Sequence, residues 1–369
     1  MSTNLIGARL KALRHERGLS QDDLARVFGF KDRQTVSAIE TGERRVSAEE
    51  LLLAVEKLGV SLDYFSDPFL LVGEGKFSWR QTGLRPERLS AYERTAGRWL
   101  AAFRRIAPEV GHKIPLLRHS LGLTRQSSFA DAAQAGERFV AEFELGEVPA
   151  SSLSKTMEER LGLLVLMVDA VKEISGAACR LPEFDTVLIN RNEVPGRRHF
   201  DLAHELFHIL TWDAMTPEHV EPPTETGGNR VEQLANNFAS ALLMPAAEVD
   251  QFVNWSALKR DALIATLNWL ADALGVTASG LKWRLAGLRR ISRAQAQEIP
   301  DAALRNNGHR RVVAEPAPPL FSRPFAEVIA RALNEGRLSA RKAADLLDLT
   351  IDDLADLFRA HGIEASVDL

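Results

Sequence analysis

The sequence predicts a mainly α-helical chain with one small β-sheet, an α+β fold whose N-terminal part is a five-helix domain, on three observations. Apolar residues recur at three- and four-residue spacing over most of the chain, the period of a helix with one buried face. The period changes at "GLLVLMVD", "ISGAACR" and "TVLINR", short apolar and β-branched runs between turns, which read as three strands. The 369 residues are 45% hydrophobic and 26% charged, enough apolar material to fill the cores of two or three domains.

Composition also excludes several classes. A net charge of −4 gives no bulk signal for nucleic acid, so any such role has to come from a local motif. The single cysteine, Cys179, excludes an intrachain disulfide and a Cys-rich metal site. The start, "MSTNLIGARLKALRHERG", lacks the apolar core of a signal peptide. The most apolar run, "LGLLVLMVDAV" (161–171), falls short of the ~20 residues that span a bilayer. The expectation is a soluble cytoplasmic chain with no membrane partner.

Residues 4–66 read as five short helices. Ser20 stands where an N-cap belongs, ahead of a helix carrying Leu24, Ala25 and Phe28. Gly29 allows a sharp turn. A second helix from about Asp32 to Glu40 buries Val36 and Ile39 and stops near Gly42. Two short helices joined by a tight Gly-containing turn make a helix-turn-helix, whose second helix enters the major groove. Arg33, Gln34, Thr35 and Ser37 would then face base edges, with Arg suited to guanine and Gln to adenine. Residues 1–66 hold ten basic and ten acidic residues, so charge alone does not separate a DNA reader from a helical protein-interaction module.

The pattern of Gln21, Leu24, Ala25, Gly29, Val36, Ser37, Ile39, Glu40, Gly42, Arg44 and Arg45 resembles the Cro/CI-type (Xre-family) helix-turn-helix, with a turn about one residue longer than usual. The resemblance implies a homodimer bound to double-stranded operator DNA, its own promoter the first candidate. Gln21, Arg33, Gln34, Thr35, Ser37, Arg44 and Arg45 would form the contact surface.

A polar, turn-rich stretch runs to Pro86, then a helix over 88–106 with Leu89, Tyr92, Ala96, Trp99, Leu100 and Phe103 at helical spacing. Residues 116–290 begin helical, pass through the three strands, and continue as helices through 199–211, 229–243, 256–274 and 276–291. "EPAPPLFSRP" (315–324) holds four prolines and reads as a linker. The tail, 325–363, looks like a second helix-turn-helix, with Ser339 and Thr350 as caps and Gly362 as the stop. Six basic against nine acidic residues in 321–369 would repel phosphates, so a partner-binding or dimerisation element is the expectation there.

The helix through 199–211 contains "HELFH". His204 and His208, at i and i+4, share a face, as two ligands of one ion must, and Glu205 can reach a water on that ion. Zinc needs a third protein ligand and leaves its fourth position to water. Glu232 comes 24 residues after His208, on a helix whose buried stripe is Ala235, Phe238, Ala239 and Leu242. A carboxylate on that inward side is costly unless paired or ligating. Asn236, one turn on, can hydrogen-bond a ligating histidine. Zinc bound without proteolysis, and a helix with solvent-facing histidines, both remain open at this point.

"RRHFDLAHELFH", the Glu232 helix ending in "LLMP", and "VLINRNEVPGRRHF" together resemble the ImmA/IrrE family of metallopeptidases over about 116–290. The resemblance implies a zincin-like domain, Zn2+ on His204, His208 and Glu232, and Glu205 as general base. This chain has only Tyr64 and Tyr92 as tyrosines, both outside the block, so an oxyanion-stabilising group would have to be His199, Arg197, Arg198, His219 or Arg230. The organisation expected is a DNA-binding domain at 1–70, a linker and connecting helix at 71–115, the metallopeptidase domain at 116–300, a Pro-rich linker at 301–324 and a helical element at 325–369. Such fusions imply a transcription regulator that cleaves a specific regulatory protein. The alternative is a non-proteolytic antitoxin and autorepressor whose zinc domain grips a cognate toxin.

Overall fold

The structure, a computed structural model, describes residues 5–113, 118–221, 229–252, 254–305 and 316–364. Part of the expected 301–324 linker and His309 lie outside the described residues.

Helices α1 (Leu5–Glu16), α2 (Gln21–Phe28), α3 (Arg33–Thr41), α4 (Ala48–Leu58) and α5 (Leu62–Ser66) form the N-terminal bundle. Local chemistry sets their ends. Ser20 and Ser47 close reciprocal capping boxes with Asp23 and Glu50, and Asp32 caps α3. Gly29 and Gly42 end α2 and α3 in the left-handed region, φ 66 and 84. Leu10, Leu13, Leu24, Ala25, Phe28, Val36, Ile39 and Phe65 are buried together. Arg14 forks onto Glu40 at 2.6 and 3.1 Å and Gln21 donates to the same carboxylate at 2.9 Å, tying α1, α2 and α3 at one point.

Among the described residues the sheet has four strands. The fourth, β1 (Lys76–Gln81), lies in the stretch expected as a linker. It precedes α6 (Pro86–Ile106), α7 (Phe129–Phe143), α8 (Pro149–Glu159) and the three expected strands, β2 (Leu164–Val168), β3 (Ile174–Arg180) and β4 (Asp185–Asn190). The order is β1-β3-β4-β2, with β1/β3 and β3/β4 antiparallel and β2/β4 parallel. Only Phe77 and Trp79 alternate in β1, too short a pattern to stand out, and its register against Cys179 and Ala177 is fixed by tertiary pairing.

The remaining helices are α9 (Pro195–Thr211), α10 (Arg230–Leu243), α11 (Ala246–Phe252), α12 (Arg260–Leu274), α13 (Ala278–Gly287), α14 (Arg293–Glu298), α15 (Arg323–Asn334), α16 (Ala340–Leu347) and α17 (Ile351–Ala360). Helices α6 and α9 begin a few residues before the periodic pattern, because Pro86 and Pro195 occupy their first turns. Strand alternation splits the core in two. Val165, Ala178, Val187 and Ile189 face a layer built from α7–α10, α12 and α13. Leu164, Leu166, Ala177, Cys179 and Leu188 face α6 and α15–α17.

The C-terminal helices, expected as a partner-binding or dimerisation element, pack on the sheet. Phe325, Ile329, Leu346, Leu354 and Phe358 are buried in the same core as Trp99 and Phe103 of α6, so their apolar faces are spent within the chain. Ser339 and Thr350 do cap α16 and α17. Among the described residues no single helix is long and apolar enough to cross a membrane.

Candidate metal centre

Helix α9 lies on the sheet with Asp201, His204, Glu205 and His208 all fully buried on its inner side. Gly176 of β3 lies under Glu205: a Cβ there would meet the Leu188 carbonyl oxygen at 2.8 Å and touch Glu205 Cγ at an ordinary 3.6 Å. Helix α10 crosses α9 and brings Glu232 and Asn236. His204 Nδ1 bonds Asn236 Oδ1 at 3.0 Å, which turns His204 Nε2 toward Glu232 Oε2 at 3.2 Å. His208 Nε2 lies 3.1 Å from His204 Nε2 and 3.6 Å from Glu232 Oε2.

A fourth donor joins them that the sequence pattern did not single out. Glu221 is 5% exposed, with its carboxylate 3.4 Å from His204 Nε2 and 3.7 Å from His208 Nε2. One ligand atom from each of His204, His208, Glu221 and Glu232 lies within 4.8 Å of every other. Donors about 2.1 Å from a tetrahedral ion lie about 3.4 Å apart, close to the separations among His204, His208 and Glu232. Glu221 sits in "HVEP", a segment without periodicity, where nothing local marks it.

Arg80 of β1 was also missed, because its strand was. It pairs with Asp201 at 3.0 Å and approaches Glu221 at 3.5 Å. Arg197 reaches Asp201 from the rim at 3.3 Å. Among the described residues, Asp201, Glu205, Glu221 and Glu232 thus lie close together, with Arg80 and Arg197 beside Asp201. Both Glu205 oxygens and His208 Nδ1 are buried without hydrogen-bond partners among the described residues. A donor set of two imidazoles and two carboxylates with orphaned polar atoms beside it fits a metal ion of the zinc type.

The protein groups alone polarise the cluster. Burial, then the Glu221 charge, hold the Glu205 carboxyl well above the ordinary range, against the pull of Arg80. Burial also opposes ionisation of Glu232 and Glu221. The imidazoles outweigh it and hold both acids low, with Arg80 helping at Glu221. Burial and Arg80 disfavour a charged His204, yet Glu221 and Glu232 raise it above its usual value.

The five residues considered for an oxyanion role have other partners. His199 bonds the Gly275 carbonyl at 2.7 Å and His219 bonds Glu93 at 2.6 Å. Arg230 donates to the carbonyls of Arg125 and Ser127, Arg198 to that of Arg191, and Arg197 engages Asp201. Arg80 lies against the cluster, paired with Asp201 and near Glu221.

In the N-terminal bundle, Arg33, Gln34 and Arg45 are exposed and Thr35 and Ser37 half-buried on α3 or just beyond it. Gln21 and Arg44 are engaged within the protein, Gln21 with Glu40 and Arg44 with Glu50 at 2.6 and 3.2 Å.

Comparison with known proteins agrees with this division. The family described as Helix-turn-helix matches residues 10–65, and the family described as IrrE N-terminal-like domain matches residues 158–284. The chain is 24% identical over 288 residues to the HTH-type transcriptional regulator PrpR of Mycobacterium tuberculosis, covering 67% of this chain and 57% of that protein. It is 37% identical over 75 residues to the radiation response metalloprotease IrrE of Deinococcus deserti, covering 20% of this chain and 27% of that protein. The chain thus spans about half, or less, of the length of these curated relatives. It joins a helix-turn-helix of the Xre type to an IrrE-like metallopeptidase domain, the fusion that its two motifs and its buried donor cluster indicate.

Proposed function

We propose that the chain is a DNA-binding transcriptional regulator whose IrrE-like domain is a zinc-dependent endopeptidase directed at one protein partner. The observation that carries the reading is the convergence of His204, His208 and Glu232 beside a buried Glu205 that has no hydrogen-bond partner among the described residues. Bound zinc would supply a Lewis acid for a peptide carbonyl and an acidified water. His204, His208 and Glu232 would hold it, and Asn236 would fix the His204 ring. Glu205 would take up a proton from the water and pass it to the leaving amine. Arg80 would place positive charge where oxyanion charge develops. Arg33, Gln34, Thr35 and Ser37 would read operator DNA, the chain's own promoter first among candidates, as a homodimer, with Arg45 on phosphate.

One observation favours a second reading, in which the domain grips a partner such as a cognate toxin without cutting it. Glu221 is a further buried carboxylate beside the three donors, and a fourth protein ligand would take the position that a catalytic zinc leaves to water. Glu205→Gln separates the two. It removes the base and spares the donors, so a pull-down from native cells should trap an intact substrate that the parent chain converts to two fragments. Equal regulation by variant and parent, with no fragments from either, would overturn the peptidase reading in favour of the scaffold.

A further inference from the structure

The free edge of β1 is occupied by the chain itself. Residues His219–Glu221 lie along it, with a parallel bridge between Trp79 and Val220. Trp79 N–H donates to the His219 carbonyl at 2.9 Å, and Glu221 N–H to the Trp79 carbonyl at 3.0 Å. This is the manner in which an extended peptide adds to an exposed sheet edge. The side chains hold it on both sides: the His219 ring bonds Glu93 of α6, which also accepts from Trp79 Nε1 at 2.6 Å, and Arg80 faces Glu221. The pairing delivers the Glu221 carboxylate to His204 and His208.

We propose that Glu221 is a fourth protein donor that closes the metal site, and that His219–Glu221 is an internal plug seated on the strand edge where an extended peptide would lie. The inference rests on the metal-centre reading above and adds its control. A catalytic zinc site keeps one position open, whereas four protein donors make a closed, structural one. Among the described residues one bridge and a few side-chain contacts hold the plug, so a partner strand can exchange with it, removing the backbone pairing and the fourth donor together. Peptide entry at β1 and opening of the metal would then be a single event, which keeps the resting chain from cutting other proteins.

Cobalt(II), loaded into the full chain in place of zinc, reports the number of open positions through its visible spectrum. The parent is expected to give a four-coordinate spectrum that azide does not change, and to release cobalt slowly to a chelator. Glu221→Ala should bind azide with a shifted spectrum and release cobalt at least about tenfold faster. Glu221→Gln keeps the shape and backbone pairing, guards against a folding defect, and should behave as Glu221→Ala does. Identical azide responses from the parent and both variants would overturn the plug while leaving the metal centre intact. Retention of cobalt by a His204→Ala, His208→Ala double variant would instead overturn the metal-centre reading itself.

Discussion

Arg80 Nε lies 3.0 Å from Asp201 Oδ1, with the Asp201 side chain fully buried, and this pair fastens the edge strand to the helix that carries His204 and His208. Removing one partner of a buried pair leaves the other charge uncompensated. Arg80→Met is expected to cost about 3–5 kcal/mol in the metal-free protein, measured by urea unfolding. A loss below ~1 kcal/mol would mean that water or Arg197 already compensates Asp201.

Metal content should be one zinc per chain, falling to none in the His204→Ala, His208→Ala double variant and unchanged in Glu205→Gln. Elemental analysis after purification without added metal decides this. Chelation should lower the melting temperature without unfolding the domain, because α7–α10, α12 and α13 have their own apolar core on the sheet. Loss of the circular dichroism signal on chelation would show a structural dependence this core does not predict.

Gly136 of α7 packs directly on the backbone of α10. A Cβ there would sit 2.5 Å from the Phe238 carbonyl oxygen and 2.9 Å from Leu242 N. Backbone atoms cannot swing away, so Gly136→Ala should destabilise by about 1–3 kcal/mol. Since α10 carries Glu232, metal affinity should fall as well. Thermal unfolding and a chelator competition test the two effects separately.

Glu158 on α8 carries a pH signature. Burial pushes its carboxyl up to about 7 from 4.5, against a hydrogen bond with Ser322. The folded state binds this proton more tightly than the unfolded chain does. The contribution is therefore full below pH 4.5 and is lost as pH rises toward 7. Glu158→Gln should remove that dependence and stabilise the protein at pH 8 by on the order of 2 kcal/mol. Urea midpoints from pH 5 to 8 that fall as steeply in the variant as in the parent would refute it.

For DNA, Gln34→Ala is expected to cost roughly 1–3 kcal/mol at one operator position, and Arg45→Ala to weaken all sequences and flatten the salt dependence. Arg44→Ala should act differently, through stability, because Arg44 is bound to Glu50 and lies over the Phe30 ring. Binding titrations at several salt concentrations, with parallel melting curves, distinguish the three.

The sequence by itself determined the features that local chemistry sets. The cap Ser20, the helix start near Asp32 and the turn and stop at Gly29 and Gly42 mark the ends of the second and third helices within a few residues. The i, i+4 spacing of His204 and His208 puts them on one helix face before any contact is known. Glu232 and Asn236 were legible because the buried stripe of α10 fixes which way they point. Only the tertiary structure decided the rest. Strand β1 has its partner in β3, about a hundred residues on, so a six-residue run with two alternating aromatics could not declare itself. Arg80 became a site residue because that strand lies at the edge beside α9, and Glu221 because a bridge to Trp79 carries its segment there. The helices of 323–360 read as a separate element because periodicity gives a helix an apolar face without saying what covers it. Burial against α6 and β2 made them part of the core.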